Sequence, residues 1–402
     1  MKYEEILEHQ DEISTKSIKI LWKRFQKLNI KIPDARNTQF GVQDVFRMVL
    51  EMSEGKKFAR SAIKRLKTKE YRNRKMTGTG RRIPSSDWGL GKLVDVDPVL
   101  MGQWCDSTIR FMASKALEAH MIKKTTMVGV DLTLNPYYGK KLKDQMLKTL
   151  AKNGTSHFDA YMTTHSIGPG YEIPLSNTRM TGDDKTHAIL QENIKKVGRC
   201  GILPLLYLAD RGFFSVACIL AFQESGCDYI MPAVRNSRIT ELIEAYHRGE
   251  IPAAVRHTVY SKEFGSASFN LLIVQKDGFC ESDPVADQYV AFATSLPCRT
   301  KAELVETIPE TYRQRWIEET AFRVIKDVKG KTCSNELHVR IFLFCFALLL
   351  YCLWKCTKYA DMLQGFLAGG ADFTMDEFIE SLGHLARDIL MWEKSHGNFL
   401  EF

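Results

Sequence analysis

The sequence changes character at Thr126, and this change constrains the fold more than any other feature. Residues 1 to about 122 show helical periodicity and few strand signals. From Thr126 onward, strand-like runs such as "MVGVDLTL" (127–134), "LPLLYLA" (203–209) and "DYIMPAV" (228–234) alternate with helical segments. Such alternation builds a mixed sheet with helices on its faces. We therefore predict an α/β protein whose core has the order β-β-β-α-β-α-β and follows an all-helical N-terminal domain, 1–122.

The rest of the chain divides into an insertion, the end of the core and a C-terminal region. Residues 235–309 contain one predicted helix and three strand-like runs, which indicates a β-rich insertion. The mixed-sheet core then comprises 123–234 and 310–340. Residues 341–402 are predicted to form helices that serve core packing and, as one option, dimerisation. The apolar run Ile341–Trp354 has 14 residues, fewer than the ~20 that a membrane span requires, so we predict a buried helix.

Basic residues are concentrated in one part of the helical domain. The chain carries a formal net charge of +8, and the segment from Lys56 to Arg82 has twelve Lys or Arg residues and one acid, Glu70. This local excess indicates a polyanion partner, of which phosphate backbones are the most common. A solvated basic surface is the alternative. The candidate DNA contacts of this segment are Lys56, Lys57, Arg60, Lys64, Arg65, Arg81 and Arg82.

The cysteines argue against a disulfide framework and against a zinc site. There are ten, with no CxxC pair and no accompanying histidine cluster. This usage is typical of reduced thiols in a cytosol. The N-terminal "MKYEEILEHQ" is polar and acidic, which is not the pattern of a signal peptide. We expect a cytoplasmic protein without a membrane partner.

When the segment "YRQRWIEETAFRVIK" (312–326) is drawn as a helix, its polar and apolar side chains fall on opposite faces. One side collects an aromatic hydroxyl, a carboxylate and three cations, from Tyr312, Arg315, Glu319, Arg323 and Lys326. The opposite side is apolar. Mixed charges on one face are also typical of a solvated helix, so this stripe alone leaves two interpretations open.

Two aspartates occupy positions where a carboxylate is unusual. Asp131 interrupts an apolar strand, where a charge is costly unless it is paired or holds a metal. Asp210 follows the buried strand 203–209, at the edge of a sheet where ligands usually bind. An ion pair and a simple turn are the respective alternatives. Together with Glu319 they can hold hard divalent cations through oxygen, and the absence of neighbouring His or Cys favours magnesium or manganese over zinc. Glu318 competes with Glu319, but on a regular helix it projects about 100° away.

These residues also carry a resemblance to a known family. The segment 312–326 contains a Y-x2-R-x3-E-x6-K pattern, and "VGVDLTLNPYYGK" and "YLADRGFFS" surround the two aspartates. The sequence thus resembles insertion-sequence transposases of the DDE type, in the insertion-sequence-four group. The runs "ETAFRVIKDVKGKTCS" and "VRIFLFCFALLLYCLW" are similar to a branch best known from archaea. The resemblance covers roughly 125–360. It departs from the family at Glu318, where relatives tend to have an apolar residue.

The resemblance implies a fold, an activity and a set of roles. It implies an RNase H-like core in which Asp131, Asp210 and Glu319 are catalytic and bind two Mg²⁺ ions, with Mn²⁺ as a substitute. The implied activity is cut-and-paste transposition, in which a homodimer acts on double-stranded DNA at terminal inverted repeats and at the target. The implied setting is the prokaryotic cytoplasm, at the nucleoid. The residues implied to contact DNA beside the metals are Tyr312, Arg315, Trp316, Arg323 and Lys326, although Trp316 can equally be a packing residue.

Two other functions stay open at this point. One is a transposase-derived DNA-binding protein without catalysis, although the three intact acids argue against it. The other is a nuclease with an RNase H-like core. The insertion before Glu319 and the cations around Glu319 favour transposition over simple hydrolysis by such a nuclease. Imperfect inverted repeats flanking the gene would favour transposition over both.

Overall fold

The computed structural model describes residues 3–32, 40–78, 80, 82–168, 172–297, 301–363 and 374–396. The chain forms two compact units. The first comprises Met1–Ala116, Gly139–Leu142 and Ala321–Phe402, and the second comprises Leu117–Tyr138 and Lys143–Thr320.

Helices form the described N-terminal part of the first unit, as predicted. They are α1 (Tyr3–Gln26), α2 (Val42–Ser53), α3 (Ala59–Thr77), α4 (Ser86–Val94) and α5 (Pro98–Glu118). Helix α5 starts at Asp97-Pro98, where Asp97 Oδ1 accepts hydrogen bonds from the amides of Val99 and Leu100. Helix α4 lies in a segment whose glycines and serines predict a loop. Ser85 starts it by accepting a hydrogen bond from the Trp88 amide at 3.2 Å.

Two further helices, α11 (Leu337–Leu363) and α12 (Met375–His396), complete the first unit. By length and composition, the stretch Leu337–Ala360 of α11 could cross a membrane, but 72% of it is buried inside the structure. Phe342 and Phe346 of this helix pack edge-on against Phe25 of α1. Helix α11 is therefore a core helix, as the sequence predicts. A capping box starts α12, with reciprocal hydrogen bonds between Thr374 and Glu377.

The second unit is built on a mixed sheet. Its described strands are β1 (Thr125–Pro136), β2 (Leu147–Lys152), β3 (Thr155–Ile167), β4 (Pro174–Met180), β5 (Leu203–Ala209), β6 (Asp228–Pro232), β7 (Ala254–Ser261), β8 (Gly265–Gln275) and β9 (Tyr289–Thr294). Their order is β2-β3-β1-β5-β6-β9-β8-β7, with β4 also paired to β3. Strands β1, β5 and β6 are parallel to one another, and the remaining pairs are antiparallel. The predicted α/β class with a mixed sheet is confirmed. Strands β7–β9, from the segment 235–309, extend the same sheet.

The helices of the second unit connect these strands. They are α6 (Thr186–Arg199), α7 (Val216–Glu224), α8 (Ser237–His247) and α9 (Lys301–Arg313), and α10 (Trp316–Val328) begins in this unit and ends in the first. An apolar cluster on the sheet includes Leu208, Ile230 and Phe292, and Tyr312 and Ile317 pack against it. The packing of these two side chains fixes the end of α9 and the start of α10 on the sheet.

Candidate active site

The register of two neighbouring parallel strands brings the aspartates together. Val130 of β1 pairs with Ala209 of β5, so Asp131 and Asp210 occupy the next step on adjacent strands. Parallel strands lie about 4.8 Å apart. Asp210 directly follows β5, and its Oδ1 accepts a hydrogen bond of 2.7 Å from the Arg211 amide, which begins a 3₁₀ turn. The fold therefore brings the two aspartates that the sequence singles out together, beside the carboxyl end of β5.

The segment 312–326 is not the single helix that its periodicity predicts. Helix α9 ends at Arg313 and α10 begins at Trp316. Between them, backbone bonds of the i→i−3 type join Arg315 to Tyr312 and Glu318 to Arg315, each at 3.0 Å. A 3₁₀ turn holds three residues and places positions i and i+3 above one another. This tightening places Glu318 directly in line with Arg315, whereas on a regular helix the two residues would lie about 60° apart.

Glu318 is consequently the buried glutamate. Its side chain has no exposed surface, and its Oε1 lies 3.3 Å from Nδ1 of the equally buried His165. Its Oε2 has no hydrogen-bond partner among the described residues. Burial raises the pKa of Glu318 well above its ordinary value, and the nearby carboxylates of Asp131 and Asp210 raise it further. From the sequence, Glu318 is set aside because on a regular helix it projects about 100° away from Glu319. No Gly or Pro lies in 312–318 to indicate a 3₁₀ turn there.

A glycine provides the space that Glu318 occupies. Gly129 precedes Asp131 by two residues on β1 and therefore faces the same side of the sheet. It pairs with His165 of β3. A Cβ atom added to Gly129 would lie 2.7 Å from Glu318 Oε2 and 3.0 Å from the Ile167 side chain. Any larger residue at position 129 would displace the carboxyl that lies over the sheet.

We expect Gly129→Ala to destabilise the protein by about 1–3 kcal/mol, as overpacking of a dense interior usually does. Combining it with Glu318→Ala should restore part of the loss, because the two side chains compete for one space. Gly198→Ala is the matched control, since nothing lies within 4 Å of a Cβ at that position of α6. Melting temperatures of the variants measure these effects. Equal melting temperatures for Gly129→Ala and the control would show that Glu318 does not fill this space.

Arg315 and Glu319 form the outer part of the candidate site. Glu319 Oε1 accepts a hydrogen bond of 2.5 Å from Arg315 Nη2, and the Glu319 side chain is half exposed. Arg315 Nε donates to the Tyr312 hydroxyl at 3.1 Å, and the Tyr312 ring packs on Phe292. Burial raises the pKa of Tyr312 to about 12, so its hydroxyl stays protonated at neutral pH. Arg315 is thereby held in place from both sides.

The charges of the site act on one another. Burial raises the pKa of Asp131, Arg315 lowers it, and the carboxylates of Asp210 and Glu319 raise it again. Burial alone would lower the pKa of Arg315, but nearby Tyr312, Asp131 and Asp210 raise it overall. The carboxylates thus repel one another in the absence of a cation, and Arg315 supplies the positive charge that offsets part of this repulsion.

The other predicted DNA contacts have different surroundings. Trp316 is 66% exposed at the start of α10, which suits a contact with a partner better than a packing role. Arg323 is exposed and Lys326 is partly buried. Both lie in the part of α10 that belongs to the first unit, whereas the remaining candidate residues of the segment belong to the second.

The predicted basic contacts of the first unit fall into two classes. Lys56 pairs with Asp327, Lys57 donates to the Glu54 carbonyl, and Arg65 pairs with Glu51 and Glu54. Arg60, Lys64 and Arg82 have exposed side chains. Arg81 lies outside the described residues.

Comparisons with known proteins bear on this arrangement. Residues 171–353 match the family model described as "Transposase DDE domain", a range that includes Asp210, Glu318 and Glu319 and begins after Asp131. A search of curated proteins gives no match. The fold is similar to that of a piggyBac transposase, solved by cryo-EM as a synaptic complex with hairpin DNA. The TM-score is 0.56 at 10% identity, over 97% of this chain and 83% of the other. The family match and the likeness of fold together support a transposase of the DDE type.

Proposed function

We propose that this protein is a DNA transposase that cleaves the terminal inverted repeats of its own element and joins the freed ends to target DNA. The observation that carries the proposal is the meeting of Asp131 and Asp210 at one step of adjacent strands, with the start of α10 and its two glutamates beside them. We further propose a cut-and-paste route, membership of the insertion-sequence-four group with the Y-R-E-K signature, and action as a homodimer at the nucleoid of a prokaryotic cell.

The donor atoms of the site fit a divalent metal ion. They are carboxylate oxygens, and those of Asp210 and Glu319 raise the pKa of Asp131 and of Glu318. Glu318 Oε2 has no hydrogen-bond partner among the described residues. Oxygen donors of this kind suit Mg²⁺ or Mn²⁺. Across the described residues, no three His, Cys, Asp or Glu side chains are already spaced to share a metal, and Glu319 is bound by Arg315 instead. The donor atoms therefore suit a divalent metal ion, but in this structure the described side chains are not yet spaced to share one.

Asp131, Asp210 and Glu319 are the residues that would hold the metal. When bound, divalent cations supply activation of the attacking oxygen and stabilisation of the leaving oxygen in phosphoryl transfer. The chain's own residues bind and orient the DNA. Arg315 offers a planar pair of N–H donors to a phosphate, the Tyr312 hydroxyl orients Arg315, and the exposed Trp316 ring is available for stacking on a base.

Helix α3 supplies the surface that we propose for binding the element ends. Arg60, Lys64, Lys67 and Tyr71 recur at intervals of three or four residues, so they share one side of the helix. All four are exposed, and Tyr71 is 59% exposed. A different side of α3 carries Arg65 and Lys69, which pair with Glu51 of α2 and with Glu54, the residue that follows α2. The helix thus separates cations that stabilise the unit from cations that are available to phosphates.

Neutralising the cations on this outer side of α3 should weaken DNA binding and make it less dependent on salt concentration. The triple variant Arg60→Gln, Lys64→Gln, Lys67→Gln should lower the slope of log affinity against log salt by about three units, since each lost phosphate contact removes about 0.9. The triple variant Lys23→Gln, Lys27→Gln, Lys31→Gln removes the same charge from exposed positions elsewhere in the first unit and should leave the slope nearly unchanged. Equal slopes for the two triple variants would mean that α3 is only a solvated surface.

The proposed function is tested by incubating the purified protein with a duplex that carries one end of its element, with and without Mg²⁺. The end is identified from inverted repeats that flank the gene. We expect strand breaks at the repeat terminus only when Mg²⁺ is present. Breaks without preference for the terminus would indicate an RNase H-like nuclease, and binding without breaks would indicate a DNA-binding protein that has lost catalysis.

A further inference from the structure

The β2–β3 hairpin continues past the candidate active site and exposes lysines that the proposed function has not used. Strand β5 ends at Ala209, opposite Val130, whereas β1 continues to Pro136 and stays paired with β3. Strand β2 then pairs with the first part of β3 and forms the end of the sheet. The hairpin therefore extends beyond the carboxyl edge of β5, the edge that carries Asp210.

The hairpin presents its side chains to solvent rather than to a core. The five residues from Lys148 to Lys152 are all exposed, and Leu150 between the two lysines is 89% exposed. A bulge lies here, because four steps on β2 from Lys148 to Lys152 correspond to two steps on β3 from His157 to Thr155. Bulges bend a strand and redirect its side chains. A strand that had only to cover the sheet would bury one of its two faces.

The hairpin is nevertheless well fixed. Asn153 and Gly154 form its turn, both with positive φ of 53° and 78°, as the tight turns of two-residue hairpins require. The exposed Tyr138, two residues after β1, donates from its hydroxyl to the Asn153 carbonyl at 2.8 Å. The Tyr137 amide donates to the His157 carbonyl at 2.9 Å. The lysines are thus presented on a rigid ribbon.

We propose that the β2–β3 hairpin is a second DNA contact, which binds the duplex to one side of the cleaved phosphate. This inference rests on the proposed function for the identity of the polyanion. A two-stranded ribbon fits the major groove, and Lys148 and Lys152 match the charge of the phosphate backbone. Lysines also protect edge strands against aggregation, and the experiment below separates that role from DNA binding.

The register gives the position of the contact. Asp131 pairs with Thr163, and β2 pairs with β3 between Phe158 and Thr155. These positions lie five to eight residues from Thr163, which is about 16–26 Å at roughly 3.3 Å per residue. For a duplex that runs along β3, a rise of about 3.4 Å per base pair puts the hairpin contact about 5–8 base pairs from the scissile phosphate.

The test compares two double variants of the full-length protein on an end duplex of about 40 base pairs, close to four helical turns. Lys148→Gln with Lys152→Gln removes the hairpin charges. Lys195→Gln with Arg199→Gln removes two exposed charges from the end of α6, just before β5 begins and so at the opposite edge of the sheet. We expect the hairpin variant to lose about two units of salt slope, at about 0.9 per contact, and its hydroxyl-radical protection about 5–8 base pairs from the cut.

The control variant should keep the wild-type slope and footprint. The proposal is overturned if the hairpin variant retains the wild-type slope and footprint while the wild type cleaves the end normally. A wild-type protein that binds but does not cleave would contradict the proposed catalysis instead, and the comparison of slopes and footprints would still decide for or against the hairpin.

Discussion

Replacing either Asp131 or Asp210 with asparagine should abolish strand cleavage and leave DNA binding nearly intact. The amide keeps the shape of the side chain but removes the negative charge that a hard cation requires. We expect the cleavage rate to fall by about 10³-fold or more, the upper part of the range for loss of one preorganised electrostatic group. Single-turnover cleavage of an end duplex measures the rate, and a filter or gel assay measures binding.

Asp183→Asn is the matched control for these variants. Asp183 is exposed in the turn before α6, and its replacement makes the same change of charge. It should cleave at the wild-type rate. Cleavage by Asp131→Asn or Asp210→Asn at that same rate would remove the aspartates from the chemistry.

The two glutamates require a comparison of their own. We expect Glu319→Gln to abolish cleavage, as its place in the Y-x2-R-x3-E-x6-K pattern implies. Glu318→Gln should cleave more slowly than wild type but measurably, because the amide can still hydrogen-bond to His165. If Glu319→Gln cleaves normally while Glu318→Gln is inactive, the buried Glu318 is the third catalytic carboxylate and the assignment of Glu319 is wrong.

Arg315→Ala should slow cleavage by about 10²-fold or more, as loss of a pre-placed charge stabiliser does. The Arg315 side chain is only 13% exposed and lies between the Tyr312 hydroxyl and the Glu319 carboxylate. Its contribution is a fixed, paired donor for a phosphate. Arg315→Lys should therefore recover only part of the rate, because an ammonium group cannot make the paired contact. Lys326→Ala is expected to produce a loss of the same order.

A neighbouring arginine provides the control for this prediction. Arg313 is 59% exposed and pairs with Asp277 and Glu310 rather than with the site. Arg313→Ala should cleave at nearly the wild-type rate. If the Arg315 and Arg313 variants are indistinguishable from wild type and keep the same Mg²⁺ dependence, Arg315 merely screens Glu319 on a solvated helix.

Much of the sheet could be predicted because its strands are apolar and end in recognisable turns. Strands β1 and β5 have β-branched or leucine-rich runs, and each is interrupted or followed by an aspartate. Strand β2 could not be predicted in this way, because "LKTLAK" has no buried face. Helix α4 could not be predicted either. Its glycines disfavour a helix, and the one local signal in its favour is the capping residue Ser85.

The geometry of the site was only partly accessible from the sequence. The convergence of Asp131 and Asp210 follows from strand order and needs no side-chain detail. The burial of Glu318 goes together with a 3₁₀ turn at which Tyr312 and Ile317 pack on the sheet. The pairing of Arg65 depends on two acids at the end of α2, Glu51 within it and Glu54 just after it. Such tertiary contacts override local propensity and cannot be read from spacing alone.

A change of metal preference tests most directly whether Asp131 holds a divalent metal during DNA cleavage. Asp131→Cys replaces a hard oxygen donor with a softer thiolate, which Mn²⁺ accepts better than Mg²⁺. We measure end cleavage by this variant in each metal, relative to wild type in the same metal. We expect almost no cleavage in Mg²⁺ and a clear recovery in Mn²⁺ that Asp131→Ala does not show. Equal relative rates in the two metals, or wild-type cleavage in Mg²⁺, would contradict a metal-binding role of Asp131.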